Sequence, residues 1–87
     1  MKRQVIIDKV YAVMGDKAGI APDYIEPEDS YEGLGLDFAQ FIEALVKIED
    51  EFAISIPSEK LLNVFTMQNV FSIVEQAIND THGFEIY

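Results

Sequence analysis

The sequence contains no cysteine among its 87 residues, which excludes disulfides, thiolate nucleophiles and cysteine zinc sites. Histidine occurs once, at His82, so a metal site has no second nitrogen or sulfur ligand, and no candidate nucleophile for a catalytic triad lies near it in sequence. No apolar run approaches the roughly 18 residues that cross a bilayer. Paired carboxylates such as Asp50 and Glu51 point in different directions on a helix, and a domain of this size has little room for a catalytic cleft. We therefore expect neither an enzyme nor a membrane-spanning protein.

Basic residues are scarce: six Lys and Arg stand against sixteen Asp and Glu, for a net charge of −10. Such a surface repels phosphate backbones, so nucleic acid is not an expected partner. Ten of the acids lie between Pro22 and Glu51, where Lys47 is the only base. These acids are Asp23, Glu26, Glu28, Asp29, Glu32, Asp37, Glu43, Glu49, Asp50 and Glu51. The cluster is either a solvated face or a docking surface for basic partners.

The rest of the composition is that of a folded domain. Hydrophobic residues make up 49% of the chain and charged residues 25%, which favours one small domain over residues 1–87 with a thin core. The N-terminal stretch "MKRQVIIDKV" has basic residues, but Asp8 interrupts its apolar part. We interpret it as the start of a helix and not as a signal peptide, and we expect a cytoplasmic protein.

Three stretches have the apolar spacing of amphipathic helices, over residues 2–18, 37–52 and 67–79. The stripe residues are Ile6, Ile7, Val10, Val13, Met14 and Lys17 in the first stretch, Phe38, Phe41, Ile42, Leu45, Ile48 and Phe52 in the second, and Met67, Val70, Phe71, Val74, Ala77 and Ile78 in the third. Gly19 is a plausible stop for the first helix. Asp37 and Thr66 are good N-caps for the second and third, because their side-chain oxygens can accept from free backbone N–H groups.

The connecting segments also have interpretable patterns. Residues 19–36 hold two prolines and three glycines and predict a long loop, which its apolar residues pin to the core. Those residues are Ile20, Ile25, Tyr31, Leu34 and Leu36. The stretch "AISIP" over 53–57 predicts an extended link that buries both isoleucines, followed by a short helical turn over 58–63. The tail "THGFEIY" over 81–87 carries Phe84, Ile86 and Tyr87 and either folds back or stays loose.

Residues 34–76, "LGLDFAQFIEALVKIEDEFAISIPSEKLLNVFTMQNVFSIVEQ", resemble the acyl carrier proteins. The family pattern runs leucine-glycine-x-aspartate-serine-leucine into an acidic amphipathic helix, followed by an Ile-x-Ile-Pro link, a short helix and a threonine-led last helix. Leu34, Gly35 and Asp37 match its start, and "IEDEF", "ISIP" and "VFTMQNV" follow in the same order without a gap. The resemblance implies an all-α fold: a small acyl-carrier-protein-like four-helix bundle of three longer helices and one short helix.

In the family, the serine after the aspartate carries a phosphopantetheine arm on its hydroxyl. Phe38 aligns with that serine, and Ala39 aligns with the leucine after it. A phenyl ring has no oxygen for a phosphodiester, so the resemblance implies that no phosphopantetheine is attachable at Phe38. Two placements of the ring stay open: it turns inward to fill the volume that Ala39 leaves empty, or it packs at the rim. Relocation of the arm is not expected, because none of the other serines follows an aspartate at a helix start. These are Ser30, Ser55, Ser58 and Ser72.

We therefore expect an acyl-carrier-protein-like protein that lacks the attachment serine and acts through protein–protein contacts of its acidic second helix. The candidate partner-binding residues are Asp37, Phe38, Gln40, Glu43, Glu49, Asp50 and Glu51. The resemblance implies docking on basic patches of fatty-acid or polyketide synthesis enzymes, and we expect a monomer. The alternative is a functional acyl carrier with the arm attached elsewhere.

A third hypothesis is a cation-binding module. Asp29, Tyr31 and Gly33 have a spacing similar to that of a calcium loop. However, a tyrosine stands at the third loop position, and Gln40 stands where a bidentate glutamate is needed, so the sequence does not predict an EF-hand.

Overall fold

The computed structural model describes residues 1–83 and 85–87, and over these residues the chain is helical. The α-helices are α1 (Arg3–Ala18), α2 (Phe38–Phe52) and α3 (Met67–His82), and two short 3-10 helices cover Pro22–Tyr24 and Ser58–Asn63. The predicted all-α layout of three longer helices and a short one at 58–63 is confirmed. The turn at Pro22–Tyr24 was not predicted, and α3 runs three residues past its predicted end, to His82. Phe84, which we predicted to be an apolar residue of the tail, lies outside the described residues.

The helix ends follow the predicted signals. Gly19 ends α1 in the left-handed region at φ 71°, and its N–H donates to the Gly15 carbonyl. Thr66 caps α3: its Oγ1 accepts from the Asn69 N–H at 3.2 Å, and Asn69 Oδ1 accepts from the Thr66 N–H at 3.1 Å. Gly83, at φ 68°, is the first residue after Thr66 that adopts the left-handed conformation, which explains why α3 continues to His82.

The core lies where the three apolar stripes meet. The largest fully buried side chains are Phe41, Ile6, Met14, Ile48, Met67, Ile78, Val10, Val70 and Val74. Gly15 is also buried, and a Cβ atom at this position would lie 2.5 Å from the Ile20 carbonyl oxygen. Glycine therefore lets the chain leaving α1 fold back directly against the helix.

The long loop is fixed by its backbone to the start of α3. The Pro27 and Asp29 carbonyls accept from the N–H groups of Gln68 and Met67 at 2.8 and 2.9 Å, and the Tyr31 N–H donates to the Phe65 carbonyl at 3.0 Å. The loop thus satisfies donors of the first turn of α3 that have no partner within the helix. Its predicted anchors are buried except Ile20, which is half-buried and packs against the core.

The remaining connections are also held in place. Ile54 and Ile56 are buried, as predicted for the extended link. The Tyr87 N–H donates to the Met1 carbonyl at 3.1 Å, and the Tyr87 carbonyl accepts from the Arg3 N–H at 2.6 Å. Ile86 packs against the core. The described part of the tail therefore folds back on the bundle.

Candidate interaction surface at the head of the second helix

Asp37 and Gln40 fix the head of α2. Asp37 Oδ1 accepts from the Gln40 N–H at 2.8 Å, and Gln40 Oε1 accepts from the Asp37 N–H at 2.9 Å. This capping box satisfies orphan donors at the helix start and places a carboxylate at the positive end of the helix dipole. Phe38 and Ala39, the two residues between its partners, both face solvent. The head of the helix is thus a defined surface and not a frayed end.

Phe38 is 57% exposed. The hypothesis that its ring turns inward to fill volume left by Ala39 is wrong, because both side chains point outward, and Phe38 does not belong to the buried stripe. The space beneath the head of α2 is filled by other aromatic rings: Tyr31 stacks on Phe41 with ring centroids 4.2 Å apart and an interplanar angle of 9°. Phe38, in the first turn, lies at the rim of the core.

The Phe38 ring forms one wall of an open groove of about 520 Å³. The groove is lined by Tyr31, Glu32, Gly35, Leu36, Asp37 and Phe38. Gly35 adopts φ 89°, a conformation that favours glycine, and the Leu36 N–H donates to the Tyr31 carbonyl at 3.0 Å. These features close the loop into a turn directly before the start of α2. The result is an apolar ring beside two exposed carboxylates, Glu32 and Asp37, neither of which forms an ion pair with any described residue.

The four other predicted acids lie further along α2 and have different contacts. Glu43 forms an ion pair with Lys17, and Glu51 forms one with Lys9 at 3.2 Å between Oε2 and Nζ. Both pairs join α2 to α1. The Lys9, Glu51 and Glu43 side chains are about half exposed or more, whereas Lys17 is half-buried. Ion pairs that solvent reaches in this way contribute little, about 0.2–1 kcal/mol. Asp50 is exposed and forms no ion pair within the described part of the chain.

Glu49 has an internal contact that the sequence did not reveal. Its Oε2 accepts from the Ile56 N–H at 2.8 Å, and the side chain is partly buried. Of the seven predicted partner-binding residues, the structure therefore brings Asp37, Phe38 and Gln40 together at the head of α2. It distributes the four acids along the helix.

None of the four serines lies in the first turn of α2. Ser30 Oγ accepts from the Gly33 N–H at 3.0 Å, and Ser72 Oγ donates to the Gln68 carbonyl at 3.2 Å. Ser55 lies in the link, and Ser58 begins a 3-10 helix; both are exposed. None of the four is placed at the start of an α-helix behind a capping aspartate.

Residues 1–83 and 85–87 contain no group of three or more His, Asp or Glu side chains arranged to hold a metal ion. Asp29 Oδ2 accepts from the Glu26 N–H at 2.9 Å, which is a local turn contact. His82 Nε2 lies 2.9 Å from the Phe52 carbonyl oxygen, where the ends of α2 and α3 meet. The cation-binding hypothesis gains no support from this arrangement. A membrane span is not found either, since the described helices are too short or too polar for one.

Comparison with known proteins shows extensive similarity. A family model described as "Phosphopantetheine attachment site" matches residues 8–75. The acyl carrier protein of Thermosynechococcus vestitus is 29% identical over 79 residues, covering 90% of this chain and 98% of that protein. The acyl carrier protein of Chlorobium phaeovibrioides is 32% identical over 75 residues, covering 85% and 96%. The solved structure of an acyl carrier protein from Thermotoga maritima superposes with a TM-score of 0.77 at 24% identity, covering 90% of this chain and 92% of that chain, which shows a shared fold.

Proposed function

We propose that this chain acts without a covalent arm. The chain belongs to the family that includes the acyl carrier proteins, whose model is described as "Phosphopantetheine attachment site", and these proteins are carriers and not enzymes. Its working part is the surface at the head of α2, defined by Asp37, Phe38 and Gln40 together with the groove beside them. It acts there by contact with other proteins.

The observation that carries this proposal is the exposed phenyl ring of Phe38 at the first position of a capped helix. Its resemblance to the carriers aligns this position with their attachment serine. Joining phosphopantetheine there requires a hydroxyl oxygen, and neither Phe38 nor Ala39 has one in its side chain. The capping box of Asp37 and Gln40 keeps the head of α2 ordered although position 38 has no hydroxyl group. The residues present therefore do not fit the phosphopantetheine group.

The proposed recognition surface keeps all seven predicted residues, with Asp37, Phe38 and Gln40 at its centre. Asp50 extends it, and Glu43 and Glu51 can exchange their lysine partners for a base of another protein, because ion pairs that solvent reaches are weak. Glu49 contributes through its negative field, since its carboxylate is engaged with the link. The proposed partners are enzymes that have basic patches and exchange acyl groups with carriers, as in fatty-acid or polyketide synthesis.

We also propose that the chain is a single-domain monomer that works in the cytoplasm. The net charge of −10 supports the monomer, because like charges oppose self-association.

The test is incubation of the full chain with a broad-specificity phosphopantetheinyl transferase and coenzyme A, followed by intact mass measurement. We expect no mass increase for the native chain and one added arm for Phe38→Ser. Phe65→Ser is the matched control, since Phe65 is 50% exposed but precedes the N-cap Thr66 of α3 and does not follow a capping aspartate, and we expect it to stay unmodified. A stoichiometric adduct on the native chain would refute the armless function.

The alternative function, a working acyl carrier with the arm elsewhere, rests on the exposure of Ser55 and Ser58. The same experiment decides it. Peptide mapping of any adduct would identify the modified hydroxyl. If it is Ser55 or Ser58, replacing that serine by alanine should abolish the mass increase, and replacing the other should leave it unchanged.

A further inference from the structure

We infer that the head of α2 makes this chain a competitor of arm-bearing acyl carrier proteins at the acyltransferases that load them. In this inference, which rests on the proposed function, the Phe38 ring enters the apolar opening through which such an enzyme admits a carrier's arm. The carboxylates around it contact the basic rim of that opening. The chain would thus regulate acyl loading by occupying the docking site.

The Phe38 ring projects from the head of α2. Phe38 is 57% exposed while its neighbours in the groove, Leu36 and Tyr31, are only 4% and 8% exposed. The ring therefore projects at the edge of the groove by itself and is not one member of a flat apolar patch. Its backbone is held by the capping box of Asp37 and Gln40. Such a fixed aromatic projection is suited to a socket, because little conformational entropy is lost when it is enclosed.

The charge around the ring is negative. Glu32 and Asp37 line the same groove, and the described residues supply no ion-pair partner to either. With a net charge of −10 over the whole chain, this end of the molecule presents an apolar centre within a negative rim. The complementary surface is an apolar opening bordered by Lys or Arg, and such charge pairing steers association as well as orientation.

Acyltransferases that load carriers are the enzyme class that fits this surface. Position 38 is where the resemblance places the carriers' arm, so any enzyme that docks carriers at this surface has its arm opening opposite Phe38. An enzyme that loads an acyl group onto an arm must admit the arm's thiol through that opening. The benzyl side chain of Phe38 is much shorter than a phosphopantetheine arm and has no thiol, so it occupies the opening without accepting an acyl group. The chain is therefore an inhibitor of loading and not a substrate.

The experiment measures transfer of malonyl groups from malonyl coenzyme A to a conventional holo acyl carrier protein by a malonyl transferase, with this chain added in increasing amounts. We expect the KM for the holo carrier to rise and kcat to stay constant. Phe38→Ala should raise the inhibition constant at least about tenfold, the weakening typical of a lost interface anchor. Phe65→Ala is the matched control, since Phe65 is exposed to a similar degree and does not line the groove; it should leave inhibition unchanged.

Two results would overturn the inference: no rise in KM when the chain is in large excess over the carrier, or inhibition that Phe38→Ala leaves intact. If KM did not rise and the native chain also carried no arm, the competition would be refuted, while the proposed function without an arm would still hold. An arm found on the native chain would remove both. A circular dichroism spectrum of each variant, unchanged from the native one, establishes that a lost effect is not a loss of fold.

Discussion

Phe38 and Phe41 are the same residue type, three positions apart in α2, in opposite environments. Phe38 is 57% exposed, and Phe41 is completely buried and stacked on Tyr31. We expect Phe41→Ala to lower the free energy of unfolding by about 3–5 kcal/mol, because it leaves a cavity in the core. Phe38→Ala should change it by no more than about 0.5 kcal/mol, as for other surface positions. Urea denaturation followed by circular dichroism measures both values.

This pair of variants separates a structural from a functional role for the ring. If Phe38→Ala destabilised the fold as much as Phe41→Ala, the ring would be part of the packing and unavailable to a partner. A small change would agree with a side chain placed for contact. The same measurement on Phe65→Ala, another half-exposed phenylalanine, gives the size of effect expected from exposure alone.

At the scale of the helices, periodicity predicted the three α-helices, and the stripe residues of the last one are all buried: Met67, Val70, Phe71, Val74, Ala77 and Ile78. Residue type predicted the helix ends at Gly19, Asp37 and Thr66. Periodicity failed for Phe38, because helical spacing gives the angle around the helix axis but not the position along it. By angle Phe38 falls beside the buried stripe, but it lies in the first turn, at the rim of the core. The buried Gly15 was missed because its requirement comes from the Ile20 carbonyl of the turn that follows α1.

The contacts of the acidic residues could not be predicted from the sequence. Lys17 and Glu43 are 26 positions apart, and Lys9 and Glu51 are 42 apart. Their pairing depends on how α1 packs against α2, which local patterns do not specify. The sequence therefore identified the acidic residues of α2 correctly. Only the structure shows which of them form internal contacts and which are free at the surface.

Glu49 shows the same division within one element and gives a prediction. Its carboxylate accepts from the partly buried Ile56 N–H and joins the link to α2. Glu49→Ala leaves that donor unsatisfied and should lower the free energy of unfolding by about 1–3 kcal/mol. Glu49→Gln retains an acceptor oxygen and should cost less. Hydrogen exchange of the Ile56 amide, measured by NMR, should quicken in Glu49→Ala relative to Glu49→Gln; equal exchange in both would show that the side chain does not hold the link.

At the scale of the whole molecule, charge is distributed over a small volume. The principal extents are 34 × 27 × 20 Å, and sixteen acids share that surface with six bases. The Debye length is about 30 Å at about 0.01 M salt, so at low ionic strength nearly all of these charges repel one another across the molecule. The folded state is compact and therefore bears more of this repulsion than the unfolded chain.

Added salt should consequently stabilise the fold. Raising sodium chloride from about 0.01 M to about 0.1 M shortens the Debye length to about 10 Å and screens the repulsion between distant carboxylates. The ion pairs Arg3–Glu75, Lys9–Glu51 and Lys17–Glu43 are at least partly exposed, so their weakening costs less than the repulsion that is removed. Thermal melting should show Tm rising with salt, by about 4–8 °C for each kcal/mol gained.

The matched control replaces three exposed acids without ion pairs, as Glu28→Gln, Glu32→Gln and Asp50→Asn together. This variant should melt higher than the native chain at low salt and respond less to added salt, whereas a Tm that falls with salt in the native chain would mean that the ion pairs outweigh the repulsion.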